Sequence, residues 1–214
     1  MTVAALERVM IGGPSGSLEA IAEDPGRPAD ASASRCYAVI CHPHPLFGGT
    51  MDNKVVTTLA RAMHESGIAT LRFNFRGVGS SEGTFDAGIG ETEDARAVAA
   101  WGAMRWPGRG LVIGGFSFGA YVALWLAQDA QVVRLVTIAP PVLRFDFSAL
   151  KAPGCPWLVV QGDADDVVEP RSVSEWVSGL EPQPRLLVMP GAGHFFHGRL
   201  LELRAAVIDA VRED

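Results

Sequence analysis

Serine, histidine and aspartate occur in this chain at positions suited to nucleophilic catalysis. The pattern Gly-x-Ser-x-Gly appears twice, at Gly115-Phe116-Ser117-Phe118-Gly119 and at Gly79-Ser80-Ser81-Glu82-Gly83. With 24 glycines and 12 serines in 214 residues, chance alone supplies about 0.15 such matches. The surroundings must therefore choose between them. A nucleophile elbow is a strand that runs into a tight turn and then a helix, holding the serine hydroxyl exposed on a strained backbone. Leu111-Val112-Ile113 reads as a buried strand before Ser117, and Ala120-Tyr121-Val122-Ala123-Leu124-Trp125-Leu126 as an apolar helix after it. A Cβ two residues to either side of the serine would collide with the neighbouring strand and helix, which accounts for Gly115 and Gly119. Ser81 instead sits in a long polar turn and is expected to be an ordinary loop serine. That turn opens as Gly77-x-Gly79 but carries Glu82 where a dinucleotide fingerprint needs its third glycine, so no cofactor is expected.

A serine hydroxyl needs a base to take its proton as it attacks, and histidine suits the task. There are five: His42, His44, His64, His194 and His197. His64 falls in the last turn of a predicted helix, a surface position favoured by the helix dipole. His194 follows the last strand through Pro190-Gly191-Ala192-Gly193, a turn able to swing it over the strand ends, where ligands meet an open α/β sheet. It is the expected base. His197 in the same loop is the competitor, with a solvated place near a helix start as its other reading. The acid must hold the imidazole in the right tautomer. Asp163, Asp165 and Asp166 lie just past the strand Leu158-Val159-Val160-Gln161, and only one can be buried against a histidine, because uncompensated buried carboxylates are costly. The other two are expected to be solvated or capping groups.

An oxyanion hole needs two N–H groups. Phe118, next to the nucleophile, should supply one, and the loop after Tyr37 to Cys41 the other. Pro43 and Pro45 have no N–H, which leaves His44 or Leu46. His42-x-His44 could also be a metal pair, but no third ligand is identifiable and the prolines suggest a rigid turn, so no metal is expected. Phe47, Phe118, Phe195 and Phe196 are candidates for lining an acyl pocket, with core packing as the alternative.

The elements that would position these residues have the pattern of an α/β fold. Leu6 to Ile11 and Ser17 to Ala22 alternate about Gly12-Gly13-Pro14-Ser15-Gly16, predicting an edge hairpin, and Asp24 to Arg35 reads as a surface loop. Apolar runs follow at Tyr37 to Cys41, Ile68 to Phe75, Gly110 to Phe116, Val132 to Ala139, Pro156 to Gln161 and Arg185 to Met189. Strands apolar on both faces belong in a parallel sheet covered by helices on both sides. Helices are expected at about Asn53 to Glu65, Gly90 to Met104, Phe118 to Gln128, Arg171 to Leu180 and Arg199 to Val211, with Pro170 at a first helical position.

Taken together, these motifs resemble the α/β-hydrolase superfamily, and its small serine hydrolase branch with a His-Pro-His-Pro loop. The resemblance also rests on Cys41-His42-Pro43-His44-Pro45-Leu46-Phe47-Gly48-Gly49 and Arg76-Gly77-Val78-Gly79-Ser80-Ser81-Glu82-Gly83, and spans most of the chain from residue 36. It implies the order nucleophile, acid, base as Ser117, Asp165, His194, because the family's Gly-x-x-Asp-x-x-Val pattern reads here as Gly162, Asp165 and Val168. Alignment with the family's His-Gly-x turn makes His44 the second oxyanion donor, with proline in place of that turn's glycine. It also implies a single α/β-hydrolase domain over residues 1–214, with a mostly parallel sheet of about eight strands. The family's cap is inserted after the strand ending near Ala139, and Pro140 to Gly154 is too short to hold one.

Bulk properties narrow the partners. The net charge is −6 and the arginines and lysines are scattered, so nucleic acid is not expected. No apolar run approaches the roughly 20 residues of a membrane span, and the start lacks a secretory pattern, so a cytoplasmic location without membrane contact is expected. Cys36, Cys41 and Cys155 are read as reduced, with Cys36 and Cys41 on opposite faces of one strand. The expected reaction is hydrolysis of a small or short-chain carboxylic ester through an acyl-enzyme. Thioesters, dienelactone-type substrates and peptides suit the same residues, and a non-catalytic binding protein is the alternative of another class. Oligomeric state is not readable from the chain.

Overall fold

A computed structural model describes residues 5–26 and 35–212. Eight strands form one sheet: β1 (Ala5–Gly13), β2 (Gly16–Asp24), β3 (Cys36–Cys41), β4 (Ala69–Phe73), β5 (Gly110–Phe116), β6 (Val132–Ile138), β7 (Trp157–Gly162) and β8 (Arg185–Met189). Their order across the sheet is β1-β2-β4-β3-β5-β6-β7-β8. The hairpin β1–β2 pairs antiparallel with the edge of β4, and every pairing from β4 to β8 is parallel. The helices α1 (Lys54–Glu65), α2 (Ile89–Arg105), α3 (Phe118–Asp129), α4 (Pro170–Ser178) and α5 (Leu200–Arg212) connect and cover them. Residues 27–34 of the expected loop Asp24 to Arg35 lie outside the described residues.

The two-residue period of a strand sorts the core into two layers. Tyr37, Val39 and Cys41 of β3 point to one face, where they join Val98 of α2, Val122 and Leu126 of α3 and Val173 of α4. Ala38 and Ile40 point to the other, packing with Leu59 and Met63 of α1 and Leu203 and Val207 of α5. Continuous apolar strands in the sequence are thus required by burial on both sides. Cys36 and Cys41 do lie on opposite faces, and all three cysteines are unpaired.

Because β3 to β8 run the same way, the loops after them gather at one edge of the sheet. One of those loops, residues 74–88, holds the second Gly-x-Ser-x-Gly match. Ser81 lies in this loop, where it is buried, its hydroxyl donates to the Asn74 carbonyl at 2.7 Å, and it accepts from the Glu19 N–H at 2.9 Å. Glu82 accepts from the Ser17 N–H at 2.6 Å. The polar turn is therefore stitched to the β1–β2 hairpin, and its serine is saturated by main chain. Arg76 fixes the same loop to α2 through a two-pronged, buried ion pair with Asp94, at 3.0 and 2.7 Å. Between β6 and β7, residues 139–156 contain no helix or strand.

Candidate active site

Ser117 joins β5 to α3 with φ 54° and ψ −120°, a conformation that costs a non-glycine residue on the order of 1–3 kcal/mol. Its surroundings hold it there. The Ser117 N–H donates to the Ile138 carbonyl of β6 at 2.8 Å, and its own carbonyl accepts from Ala120 at 2.8 Å to begin the helix. A Cβ on Gly115 would lie 2.1 Å from the Gly119 carbonyl oxygen, and one on Gly119 would lie 2.2 Å from that of Cys41. Both obstacles are main chain, which cannot rotate aside. The turn is as tight as the glycine spacing demands, and it presses α3 against the end of β3.

The structure brings Asp165 and His194 to this serine from the two loops beyond β7 and β8. Those loops are tied together: the Gly191 N–H donates to Asp163 at 2.6 Å, and the Ala164 N–H to the Ala192 carbonyl at 3.1 Å. Asp163 thus holds the loops, while Asp166 is exposed. His194 Nδ1 lies 2.9 Å from Asp165 Oδ2, and His194 Nε2 lies 3.2 Å from Ser117 Oγ. A carboxylate only accepts, so Nδ1 carries the proton and Nε2 presents its lone pair to the serine hydroxyl. The imidazole is buried between Phe116 and Phe195, with ring centroids 5.0 and 5.1 Å away. Burial pushes the Asp165 carboxyl up, but hydrogen bonds from His194 and from the N–H groups of Val168 and Val167 outweigh it and hold the group below its ordinary value.

Gln161, the penultimate residue of β7, was not singled out from the sequence. Its fully buried amide donates to Asp165 Oδ2 at 3.1 Å, the oxygen that also receives His194. Two further contacts run from the same nitrogen to the Gly162 and Val168 carbonyls, at 3.1 and 3.4 Å, while Oε1 has no partner among the described residues. A glutamine in an otherwise apolar strand was the available signal.

The loop after β3 lies directly against the elbow. His42 is fully buried, accepts the Phe75 N–H at Nε2 (3.0 Å) and donates from Nδ1 to the Pro43 carbonyl (2.6 Å). Burial pushes its pKa down to about 3. Both ring nitrogens are engaged, so His42 has no lone pair for a metal and serves to lock the turn. The Leu46 N–H donates to His44 Nδ1 at 3.2 Å, capping the short 3₁₀ turn Pro45–Phe47. The N–H groups of His44 and Phe118 have no partner among the described residues.

Other candidates fall elsewhere. His197 is exposed and contacts Lys54. His64 does fall in the last turn of α1, where it is half-buried rather than fully at the surface, and its Nδ1 has no partner among the described residues. Phe196 is fully buried in the α1–α5 layer, so it lines the core and not a pocket, and Phe118 is buried as well. Phe47 and Phe195 are exposed.

His42 supplies a pH signature. Between pH 6.5 and about 3 it is neutral in the folded chain and protonated in the unfolded chain, so the unfolded state binds the extra proton. Its contribution is complete above pH 6.5 and declines as the pH falls, with a slope approaching about 1.4 kcal/mol per pH unit. In urea titrations across this range, His42→Asn is expected to flatten the pH dependence of stability. An unchanged slope would contradict a buried neutral His42.

Comparison with known proteins agrees with this architecture. A model of the alpha/beta hydrolase domain matches residues 43–202. A crystal structure from Xanthomonas campestris, described as an α/β serine hydrolase without lid, superposes with a TM-score of 0.91 at 46% identity, covering 99% of this chain and 95% of that one. An α/β serine hydrolase homologue from Coxiella burnetii gives 0.90 at 46% identity, covering 95% and 96%. An uncharacterized protein of Rickettsia prowazekii is 35% identical over 95% of this chain and 88% of its own length. No helix among the described residues is long and apolar enough to cross a membrane. The family match over residues 43–202, and the fold shared with these α/β serine hydrolases, place this chain in the α/β-hydrolase family.

Proposed function

We propose that this protein is a serine esterase that hydrolyses small or short-chain carboxylic esters through an acyl-enzyme. The observation that carries the reading is the continuous hydrogen-bonded line from Ser117 Oγ through His194 to Asp165. In this reading Ser117 Oγ attacks the ester carbonyl while its proton passes to His194 Nε2, and Asp165 stabilises the imidazolium through Nδ1–H. The carbonyl oxygen becomes negative and is met by the N–H groups of Phe118 and His44. His44 is preferred to Leu46 because the Leu46 N–H is already committed to His44 Nδ1. Collapse expels the alcohol, which takes the proton back from His194. Water then attacks the acyl-enzyme with His194 again as base, and releases the acid. Gln161 is a positioning residue: it holds Asp165 Oδ2 toward His194.

Substrate size is read from the segment 139–156, which carries no helix to roof the serine. The lid-less description of the Xanthomonas campestris relative supports the same view. An open site gives a long flexible tail little to bind, so the acyl group is small.

The test is hydrolysis of esters with one chromogenic leaving group and increasing linear acyl length. Wild type is expected to favour short chains, and Ser117→Ala to lose on the order of 10⁴-fold or more in kcat. Ser81→Ala should keep a rate close to wild type. Retained activity in Ser117→Ala would overturn the reading, and a steady rise toward long chains would overturn the open site. For Gln161→Leu, kcat should fall on the order of tenfold with KM nearly unchanged, as expected for loss of a hydrogen bond to a charged group. A change confined to KM would argue against positioning.

A further inference from the structure

His44 is enclosed by aromatic rings that come from separate parts of the chain. Phe47 lies 4.7 Å from it by ring centroid, Phe85 from the β4–α2 loop 4.8 Å, Phe118 from the elbow 5.1 Å and Phe145 from the β6–β7 segment 6.2 Å. Core packing accounts for only part of this cluster. Phe118 is 1% exposed and forms its floor, but His44, Phe85 and Phe145 are half-buried and Phe47 is 82% exposed. Each ring meets His44 tilted by 37° to 52°, so no parallel stack covers the imidazole. Leaving these ring faces open to water forgoes the burial that aromatic side chains contribute elsewhere in a fold.

The position of the cluster relative to the reacting atoms decides which half of an ester it meets. His194 Nε2 returns its proton to the leaving oxygen, so the alcohol must depart on the His194 side, beside Phe195. The carbonyl oxygen points to the Phe118 and His44 N–H groups. The acyl substituent is left facing away from His194, which packs on Phe116 and Phe195, and toward Phe118 on the other side of Ser117, whose ring contacts His44, Phe85 and Phe145. His44 itself is pushed down in pKa by burial and presents no fixed charge there. A charged acid has nothing to recognise it in this wall, whereas a flat neutral ring can pack edge-on or offset against several phenyl groups at once.

We propose that His44, Phe47, Phe85 and Phe145 form an acyl-side subsite that selects a small, neutral aromatic acyl group, of the benzoyl or cinnamoyl type, over a linear alkyl group of similar size. This rests on the esterase reading above. It names the acyl group and leaves the alcohol open.

The experiment compares kcat/KM for benzoyl, cinnamoyl and hexanoyl esters of one alcohol, each divided by its rate of alkaline hydrolysis to remove intrinsic reactivity. Wild type is expected to favour the aromatic acyl groups. In Phe47→Leu and Phe145→Leu, which keep apolar bulk but remove a ring, the aromatic-to-alkyl ratio should fall about threefold to tenfold. Circular dichroism verifies that Phe145→Leu is folded, and the exposed Phe47 serves as the variant least able to disturb folding. Ser117-dependent hydrolysis with a ratio that favours hexanoyl, or that both variants leave unchanged, would overturn the subsite alone. No Ser117-dependent hydrolysis of any ester would overturn the subsite and the esterase reading together.

Discussion

The backbone contact around Ser117 is the constraint on which the rest of this site depends. Two glycines let the main chains of β3, β5 and α3 approach until no Cβ fits between them, at 2.1 and 2.2 Å from carbonyl oxygens. That closeness holds a serine at φ 54°, and brings the loop after β3 within reach of Phe118. A looser turn would let Ser117 relax to an ordinary backbone conformation and would draw the His44 and Phe118 N–H groups apart. The parallel core supports this turn: β5 is flanked by β3 and β6, and the Ser117 N–H is bound to the end of β6.

The histidine side of the site is assembled differently, by polar ties between loops. Asp163 joins the loop after β7 to the loop after β8, and Asp165 spends all its acceptor capacity on Val167, Val168, Gln161 and His194. A carboxylate so fully bonded is fixed in place and stays ionised, which is what orienting an imidazole requires. The two halves of the site therefore have distinct physical origins. One is rigid because backbones touch, the other because a buried charge is saturated.

Much of this was legible in the sequence where the signal was local. β5 begins and ends at the residues its apolar run marked, because a strand buried on both faces carries no polar interruption, and the partly exposed edge strand β8 matches its run as well. β4 stops at Phe73, short of the expected Phe75, where the Asn74 carbonyl accepts from the Ser81 hydroxyl at 2.7 Å and the Phe75 N–H donates to His42 Nε2 at 3.0 Å instead of to a neighbouring strand. α4 ends at Ser178, before Leu180, where Gly179 and Leu180 close a turn onto Trp176 and Val177. The residues expected at the elbow, acid and base do meet in space. The roles of His42 and Ser81 could not be read beforehand, because their partners Phe75 and Glu19 are distant in sequence and meet them only in the fold. Gln161 binds Asp165, four residues on, but Asp165 meets His194 only in the fold. Phe196 misled for the same reason: its neighbour Phe195 is exposed beside His194, and only the packing of α1 and α5 shows that Phe196 turns inward.

The central claim is that the fold makes one serine out of twelve reactive. Its most direct measurement is labelling with a fluorophosphonate, with the adduct mapped by mass spectrometry in native protein and in protein unfolded by urea. The account predicts one adduct per chain, on Ser117, in native protein and none after unfolding. Absence of an adduct in folded protein, or one on Ser81 or another serine, would contradict it.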